Sequence, residues 1–596
     1  GLGTETNTIT LDGGTLDLTG GNIGSAAAAI TFNAQAGTLR NLAELNGGGV
    51  LTKSTTGVLL LDTANSFTGG VTIAANGGTV IAGHNNALGT GTVTLGGNAA
   101  QLTLVDGITV ANTLFLTNSG GLQARTLSLQ AGATSATYAG SISNSSSSTA
   151  APSLTFSAEA SGTLIISGNI SGLSGRGVSK TGAGTVVLSG ANTFTGVTLV
   201  SAGTLSASAG SLVATSGITV NDAALTAADY NAAATLALDA SGTATLSGTG
   251  LNISGAVTNA NTTANALNFT GTSAKIILAS LAGAGATRFG SDADITGGVS
   301  VGTVTVVGTL GAGISGGTVN AGALNGAITG GTVTVTNLLT GAVSSGTVSA
   351  GALTGNVSGG SVTVTNLLTG NVTAGTVSAG SMTGDVSSSV TVSGLLTGAI
   401  TAGTNALGSL SSSSVTGGTN TISGAATITT VDGGTTSIGG VATITTLTSG
   451  TLTLTGATAA IGALDGGTVT LGTTALTVSG GTFAGVVSGA TGSLTKSGNG
   501  TLTLSGANTF GGGTTLSAGT VRVGHATALG AGFLTLDGGT LTSDGATARA
   551  FANEVTFGGA VTFGAATTHT GALTFGGTIG LGAVTRTLTI NSDVTF

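Results

Sequence analysis

Thr332-Val333-Thr334-Val335-Thr336-Asn337-Leu338-Leu339-Thr340-Gly341 recurs as Ser361-Val362-Thr363-Val364-Thr365-Asn366-Leu367-Leu368-Thr369-Gly370, and a worn copy ends at Leu395-Leu396-Thr397-Gly398. Thr and Val alternate here with a period of two, which puts Val on one face of a strand and Thr on the other. A half-period is also visible in the series Val304, Val319, Val333, Val348, Val362 and Val377. The full repeat is about 29 residues and the half-period about 14 or 15 residues. Strand units repeating at so short an interval cannot bury their apolar face alone, so they stack, each coil covering the next. The reading is all-β: an elongated parallel β-helix, or β-solenoid. One coil per full repeat, with several strands in it, would give about 20 coils, and a flattened coil of one half-period would double that.

Gly pairs break the strands and supply the positive φ that a tight corner needs. Asp-Gly-Gly-Thr begins at Asp12, Asp432, Asp465 and Asp537, with Asn76-Gly77-Gly78-Thr79 as its amide version. Asx followed by Gly is turn chemistry.

Outside this region a second motif appears three times. It runs from Leu51-Thr52-Lys53 to Ala64-Asn65-Ser66-Phe67, from Val178-Ser179-Lys180 to Ala191-Asn192-Thr193-Phe194, and from Leu494-Thr495-Lys496 to Ala507-Asn508-Thr509-Phe510. The spacing from Lys to Phe is identical in every copy. Two copies extend further, to Gly83-His84 with Ala87-Leu88-Gly89 and to Gly524-His525 with Ala528-Leu529-Gly530. The chain accordingly divides into a β-solenoid with Lys-to-Phe repeats (1–289), a Thr/Val/Gly-rich β-solenoid (290–482) and a third stretch (483–596) with one more Lys-to-Phe repeat. That last stretch adds Phe551, Phe557, Phe563 and Phe575, which read as an interior Phe ladder.

Composition agrees. Of 596 residues only 5% are charged, against about 25% in ordinary soluble domains, and 111 are Gly. A mean hydropathy of +0.52 argues against a disordered linker. With 15 Phe, 2 Tyr and no Trp, the core must be thin and built from small side chains. There is no cysteine, hence no disulfide framework or thiolate metal site. The 11 basic residues are scattered singly on a chain of net charge −8, which excludes a nucleic-acid footprint. No run approaches the roughly 18 apolar residues of a membrane-spanning helix. The chain opens at Gly1 without an initiator Met or a basic leader, as expected of a mature portion of something longer.

The segments Leu494-Thr495-Lys496-Ser497-Gly498-Asn499-Gly500-Thr501-Leu502-Thr503-Leu504-Ser505-Gly506-Ala507-Asn508-Thr509-Phe510 and Thr515-Leu516-Ser517-Ala518-Gly519-Thr520-Val521 closely resemble the autotransporter-associated β-strand repeat. That family occurs in passenger regions of secreted or surface proteins of Gram-negative bacteria. The resemblance implies a parallel β-helix, exported to the bacterial cell surface (outer membrane-associated) or released, and it brings no catalytic residues. One departure is that the final stretch lacks the successive amphipathic strands and aromatic girdles of a membrane barrel.

His84 and His525 occupy equivalent repeat positions beside Gly corners, which suits polar corner residues better than catalysts. Asp292 and Asp294 could act as acid and base or hold a cation, yet Arg288 is the only basic residue near them, and a solvated pair is the simpler reading. Lys53, Lys180 and Lys496 recur at one repeat position and read as single outward charges that discourage edge pairing. The Asp-Gly-Gly-Thr turns do not match the tandem calcium nonapeptide. Asn-x-Ser/Thr sequons at Asn144, Asn169, Asn252, Asn261, Asn268, Asn356 and Asn371 are what chance gives in a Ser/Thr-rich chain. The expected catalytic, cofactor-binding and metal sets are therefore empty, no cofactor is implied, and the chain is read as non-enzymatic.

Three functions follow from this reading. The first is an extracellular structural protein whose terminal coils, lacking a polar cap, self-associate head-to-tail into filaments. The second is an adhesin stalk binding cell surfaces or glycans, with the Ser-rich run at 143–152 as its insertion. The third is an ice-binding protein, because Thr-x-Thr runs such as Thr332 to Thr336 form a regular array. No nucleic-acid partner and no membrane-spanning segment are expected.

Overall fold

The computed structural model describes residues 7–117, 124–144, 154–173, 175–212, 214–228, 230, 234–248, 251–270 and 276–596. The insertion candidate lies outside them from residue 145 to residue 152. Among the described residues every regular element is a strand and none is a helix. All paired strands run parallel, stacked as a β-solenoid. The chain divides into two compact units, Gly1–Gly326 and Ala327–Phe596.

In the second unit the Thr-Val stretch forms the strand Thr332–Thr340. Val333, Val335 and Leu339 are buried while Thr332, Thr334 and Thr336 are exposed, as the alternation requires. Thr336, Asn337 and Leu338 are exposed in succession, and here the register with the next strand shifts as the chain turns a corner. Val343 closes the coil through single bridges to Ile328 and Val357. The apolar side chains that each coil buries stack on their counterparts. Val333 lies on Val348, Val348 on Val362, Val362 on Val377. These partners are the successive valines of the half-period, so the full repeat is two coils and the shorter reading of the coil is the observed one.

Coil length is not constant. In the first unit Leu51 pairs with Val71, Val71 with Val93 and Val93 with Leu114. These are longer coils, of about 20 residues each. Leu114 then pairs with Ile142, across a longer coil still. In the second unit the pairings of Leu494 with Thr514 and of Thr514 with Leu534 restore the spacing seen between Leu51 and Val71. The Lys-to-Phe motif therefore marks long coils and the Thr-Val repeat short ones.

Glycine makes the short coil possible. Gly346, Gly360 and Gly375 stack at one corner with φ of 93°, 81° and 92°. A Cβ on Gly360 would press on the Gly346 carbonyl of the coil before it. Both demands, left-handed backbone and close coil approach, exclude other residues.

The core is polar at one place. The column of Val377 and Val390 continues as Asn405, Asn420 and Thr436 before returning to Leu452. Asn405 and Asn420 are each 1% exposed, and their amides bond along the stack. The expected Phe ladder is present: Phe551 stacks on Phe575 with ring centroids 5.6 Å apart, Phe563 meets Phe575 at 6.0 Å and Phe557 at 6.1 Å.

Candidate functional site: the Lys, Asn and Phe corners

The strands that open the three Lys-to-Phe motifs, Leu51–Lys53, Val178–Thr181 and Ser493–Lys496, bury every second residue. Lys falls on the buried phase each time, after Leu51, Val178 and Leu494. Lys53, Lys180 and Lys496 are 0%, 1% and 0% exposed, which corrects the outward placement expected of them. A lone charge is rarely fully buried, but here the corner carbonyls provide for it. Lys180 Nζ donates to the carbonyls of Thr181 (2.8 Å), Gly182 (2.6 Å) and, in the next coil, Ala202 (2.9 Å). Lys496 Nζ does the same with Ser497 (2.7 Å), Gly498 (2.8 Å) and Ala518 (3.1 Å). Lys53 Nζ donates to the Thr55 carbonyl, to Thr55 Oγ1 (3.1 Å) and to the Gly77 carbonyl (3.0 Å). Each ammonium ties its own corner to that of the following coil. Desolvation lowers all three ammoniums from their ordinary range, Lys180 to about 8.

The asparagine two positions before each Phe is a second tie, and the sequence reading gave it no role. Asn65 Oδ1 accepts from the Leu42 amide (2.7 Å) of the preceding coil, while its Nδ2 donates to the Ala87 carbonyl (2.7 Å) of the following one. Asn192 links Ile170 N (2.9 Å) to Ser211 O (3.1 Å). Asn508 links Val487 N (2.8 Å) to Ala528 O (2.6 Å). One side chain thus satisfies a donor and an acceptor in two coils that it separates. Its fixed distance from Phe was the available signal.

Phe67, Phe194 and Phe510 fill the interior beside these asparagines. Gly89 and Gly530, at φ of 67° and 73°, lie against the rings of Phe67 and Phe510. A Cβ on Gly89 would come within 2.8 Å of the Phe67 ring, which accounts for the repeated Ala-Leu-Gly. His84 and His525 are exposed, and each Nδ1 accepts from the amide two residues on, Asn86 N and Thr527 N, both at 3.1 Å. They are polar corner residues, as their twinned positions suggested.

Grooves of about 560 Å³ and 320 Å³ flank Asn65 and Asn508, lined by Asn, Thr, Ser, Ala, Gly and Leu without a titratable side chain. Asp292 Oδ1 accepts from the Thr309 amide at 2.7 Å, and Arg288 Nη1 donates to Asn268 Oδ1 at 3.3 Å. In the turn units, Asp432 Oδ1 accepts from Thr448 Oγ1 (2.7 Å) and Ser449 Oγ (2.9 Å) of the next coil, which holds its carboxyl below the usual range. Asp465 Oδ1 accepts from Thr482 N at 3.0 Å. These acids serve coil-to-coil bonding. Among the described residues no three His, Cys, Asp or Glu groups converge as a metal site would require.

The fold and its corners define a class: a repeat-built parallel β-solenoid whose polar side chains lock successive coils. More particularly, the family model of the passenger-associated-transport-repeat matches residues 51–82, 178–207 and 494–523, the three segments that carry the Lys and Asn ties. The chain therefore holds three of these repeats, in agreement with the resemblance read from the sequence. No curated protein and no solved structure matches it.

Proposed function

We propose that this chain is the non-enzymatic scaffold of an exported, surface-displayed passenger. The observation that carries the reading is the use made of the repeat's own residues. Lys496 and Asn508 are spent on bonds that join coils and Phe510 on filling the interior, so these repeat residues supply mechanical continuity and not reactive groups. The family description ties such repeats to passenger transport, which favours export to the cell surface or medium. Labelling of intact source cells with an antibody to the chain tests this; signal appearing only after lysis would overturn it.

End-to-end assembly is the finer form of the reading. The same parallel, in-register ladder runs from coil to coil in each unit, and any coil at the end of such a stack offers a row of backbone donors and acceptors to another. Negative-stain electron microscopy of purified chain at rising concentration decides it: particles lengthening with concentration support assembly, and rods of one length refute it. The adhesin reading has no specific observation of its own among the described residues. The division at residues 289 and 482 belongs to the same proposal, as a change in coil type along the scaffold.

A further inference from the structure

One face of the second unit carries hydroxyls in two columns, each broken once, the first at Ser389, whose Oγ accepts from the Thr404 amide at 2.9 Å, and the second at Ala406. Thr332, Thr347, Ser361 and Thr376 follow one another in register, and the column resumes through Thr404, Thr419, Thr435, Thr451 and Thr468. Beside it run Thr334, Ser349, Thr363, Ser378 and Thr391, then Thr421, Ser437, Thr453 and Thr470, interrupted only by Ala406. Neighbouring hydroxyls are spaced by about 4.8 Å along the stack and by about 6.6 Å across a strand. No Lys, Arg or aromatic residue occurs between Phe289 and Phe483. The array is uncharged.

Its hydroxyls are also uncommitted. Some Ser and Thr side chains elsewhere in the unit turn onto the preceding coil, as Thr401 Oγ1 does to Val386 O (3.3 Å), Ser387 Oγ to Val372 O (3.5 Å) and Ser423 Oγ to Leu407 O (3.2 Å). In the two columns only Thr470 has such a partner, Ser488 Oγ at 3.3 Å. The remaining hydroxyls have no bond to the described chain.

These facts select the occupant. A protein surface laid on the array would bury hydroxyls that it could not all match, at about 1–3 kcal/mol for each one left unpaired. A sugar would seek an aromatic platform or a charged clamp, and the face has neither. A water lattice matches every hydroxyl with a donor or acceptor, and the axial spacing is close to the in-plane repeat of hexagonal ice. We propose that the Thr/Ser face of residues 332–470 binds ice. The inference stands independently of the passenger reading.

The test uses the full chain in slow ice growth, measuring the fraction retained in the ice and the shape of single crystals. Wild type should enter the ice and facet the crystal. Thr363→Lys/Thr421→Lys should lower retention about tenfold or more, as should the uncharged pair Thr363→Tyr/Thr421→Tyr. The control Ser387→Lys/Thr401→Lys, at exposed positions whose hydroxyls bond to the preceding coil and lie off the array, should retain ice binding, with melting curves confirming that all variants fold. Exclusion of wild type from ice overturns the proposal. So does equal loss in array and control variants, or retention by an insoluble polysaccharide without retention by ice.

Discussion

Asn405 donates from Nδ2 to Oδ1 of Asn420 at 2.7 Å inside the second unit, and Asn420 in turn donates to Thr436 Oγ1 at 3.3 Å. Each amide also reaches the corner of its own coil, Asn405 to the Ala402 carbonyl and Asn420 to the Gly417 carbonyl, both at 3.1 Å. Above them the same column is valine. Breaking the ladder in the middle strands a buried acceptor and donor. Asn420→Val is expected to cost roughly 1–3 kcal/mol in denaturant unfolding, and Asn405→Val/Asn420→Val less than the sum of the two single changes. Additive effects would show the ladder to be two independent bonds.

The Asn ties of the repeats should matter more. Asn508→Ala leaves Val487 N and Ala528 O unpaired in two different coils, and a loss of about 2 kcal/mol or more is expected from equilibrium melts. Asn499→Ala, in the Ser-Gly-Asn-Gly turn of the same repeat, is the control and should change little. An equal loss in both variants would remove the special role given to Asn508.

Lys496→Ala combines a cavity with three stranded carbonyls, so about 2–4 kcal/mol is expected. An outward lysine would have cost almost nothing. Unfolding by guanidinium, read from the midpoint at constant slope, separates the two.

Buried lysine also gives a pH signature. Unfolded Lys180 holds its proton to about 10.5, whereas in the fold desolvation releases it near 8. Between those values the unfolded chain binds more protons, so stability rises with pH. Lys53 and Lys496 act in the same direction. Above pH 10 the trend reverses, because burial keeps Tyr138 and Tyr230 protonated in the fold while the unfolded chain ionises them. A melting temperature that climbs from pH 8 towards 10 and then falls is expected, with the climb reduced in Lys180→Met. A flat or falling profile from pH 7 to 9.5 would contradict it.

Trypsin should leave the Thr-Val region whole. No Lys or Arg lies between Arg288 and Lys496, and Lys53, Lys180 and Lys496 are themselves sealed in the core. A stable fragment spanning those residues is expected on gels after prolonged digestion, and loss of intact protein within minutes would speak against a continuous ladder.

The fold was legible because its signal is local and repeated. Val333 and Val335 alternate with Thr, and the step from Val333 to Val348 is the coil itself. Burial of the repeat lysines was present in the same alternation, Leu494 and Lys496 sharing a phase, but the general rarity of buried charge outweighed it. Only the fold brings three oxygens to each Nζ, all of them carbonyls around Lys180 and Lys496 and two carbonyls with a hydroxyl around Lys53. The fixed spacing of Asn508 from Phe510 marked it as special, but its role could not be read, since its partners Val487 and Ala528 lie a full coil away on either side. The hydroxyl columns were half visible: Thr-x-Thr is in the sequence, whereas their register and the absence of backbone partners are properties of the stack.

Two coils make up one full Thr-Val repeat, and Val333 is followed by Val362 after one such repeat just as Val362 would be followed by its own successor. A segment such as 332–360 can therefore be duplicated or deleted in frame, and the cut ends rejoin with Val362 in the place of Val333, Val364 in that of Val335 and Gly331 still leading into a corner. The length of this protein is a property that copying errors in its gene can adjust in steps of two coils without redesigning a single contact.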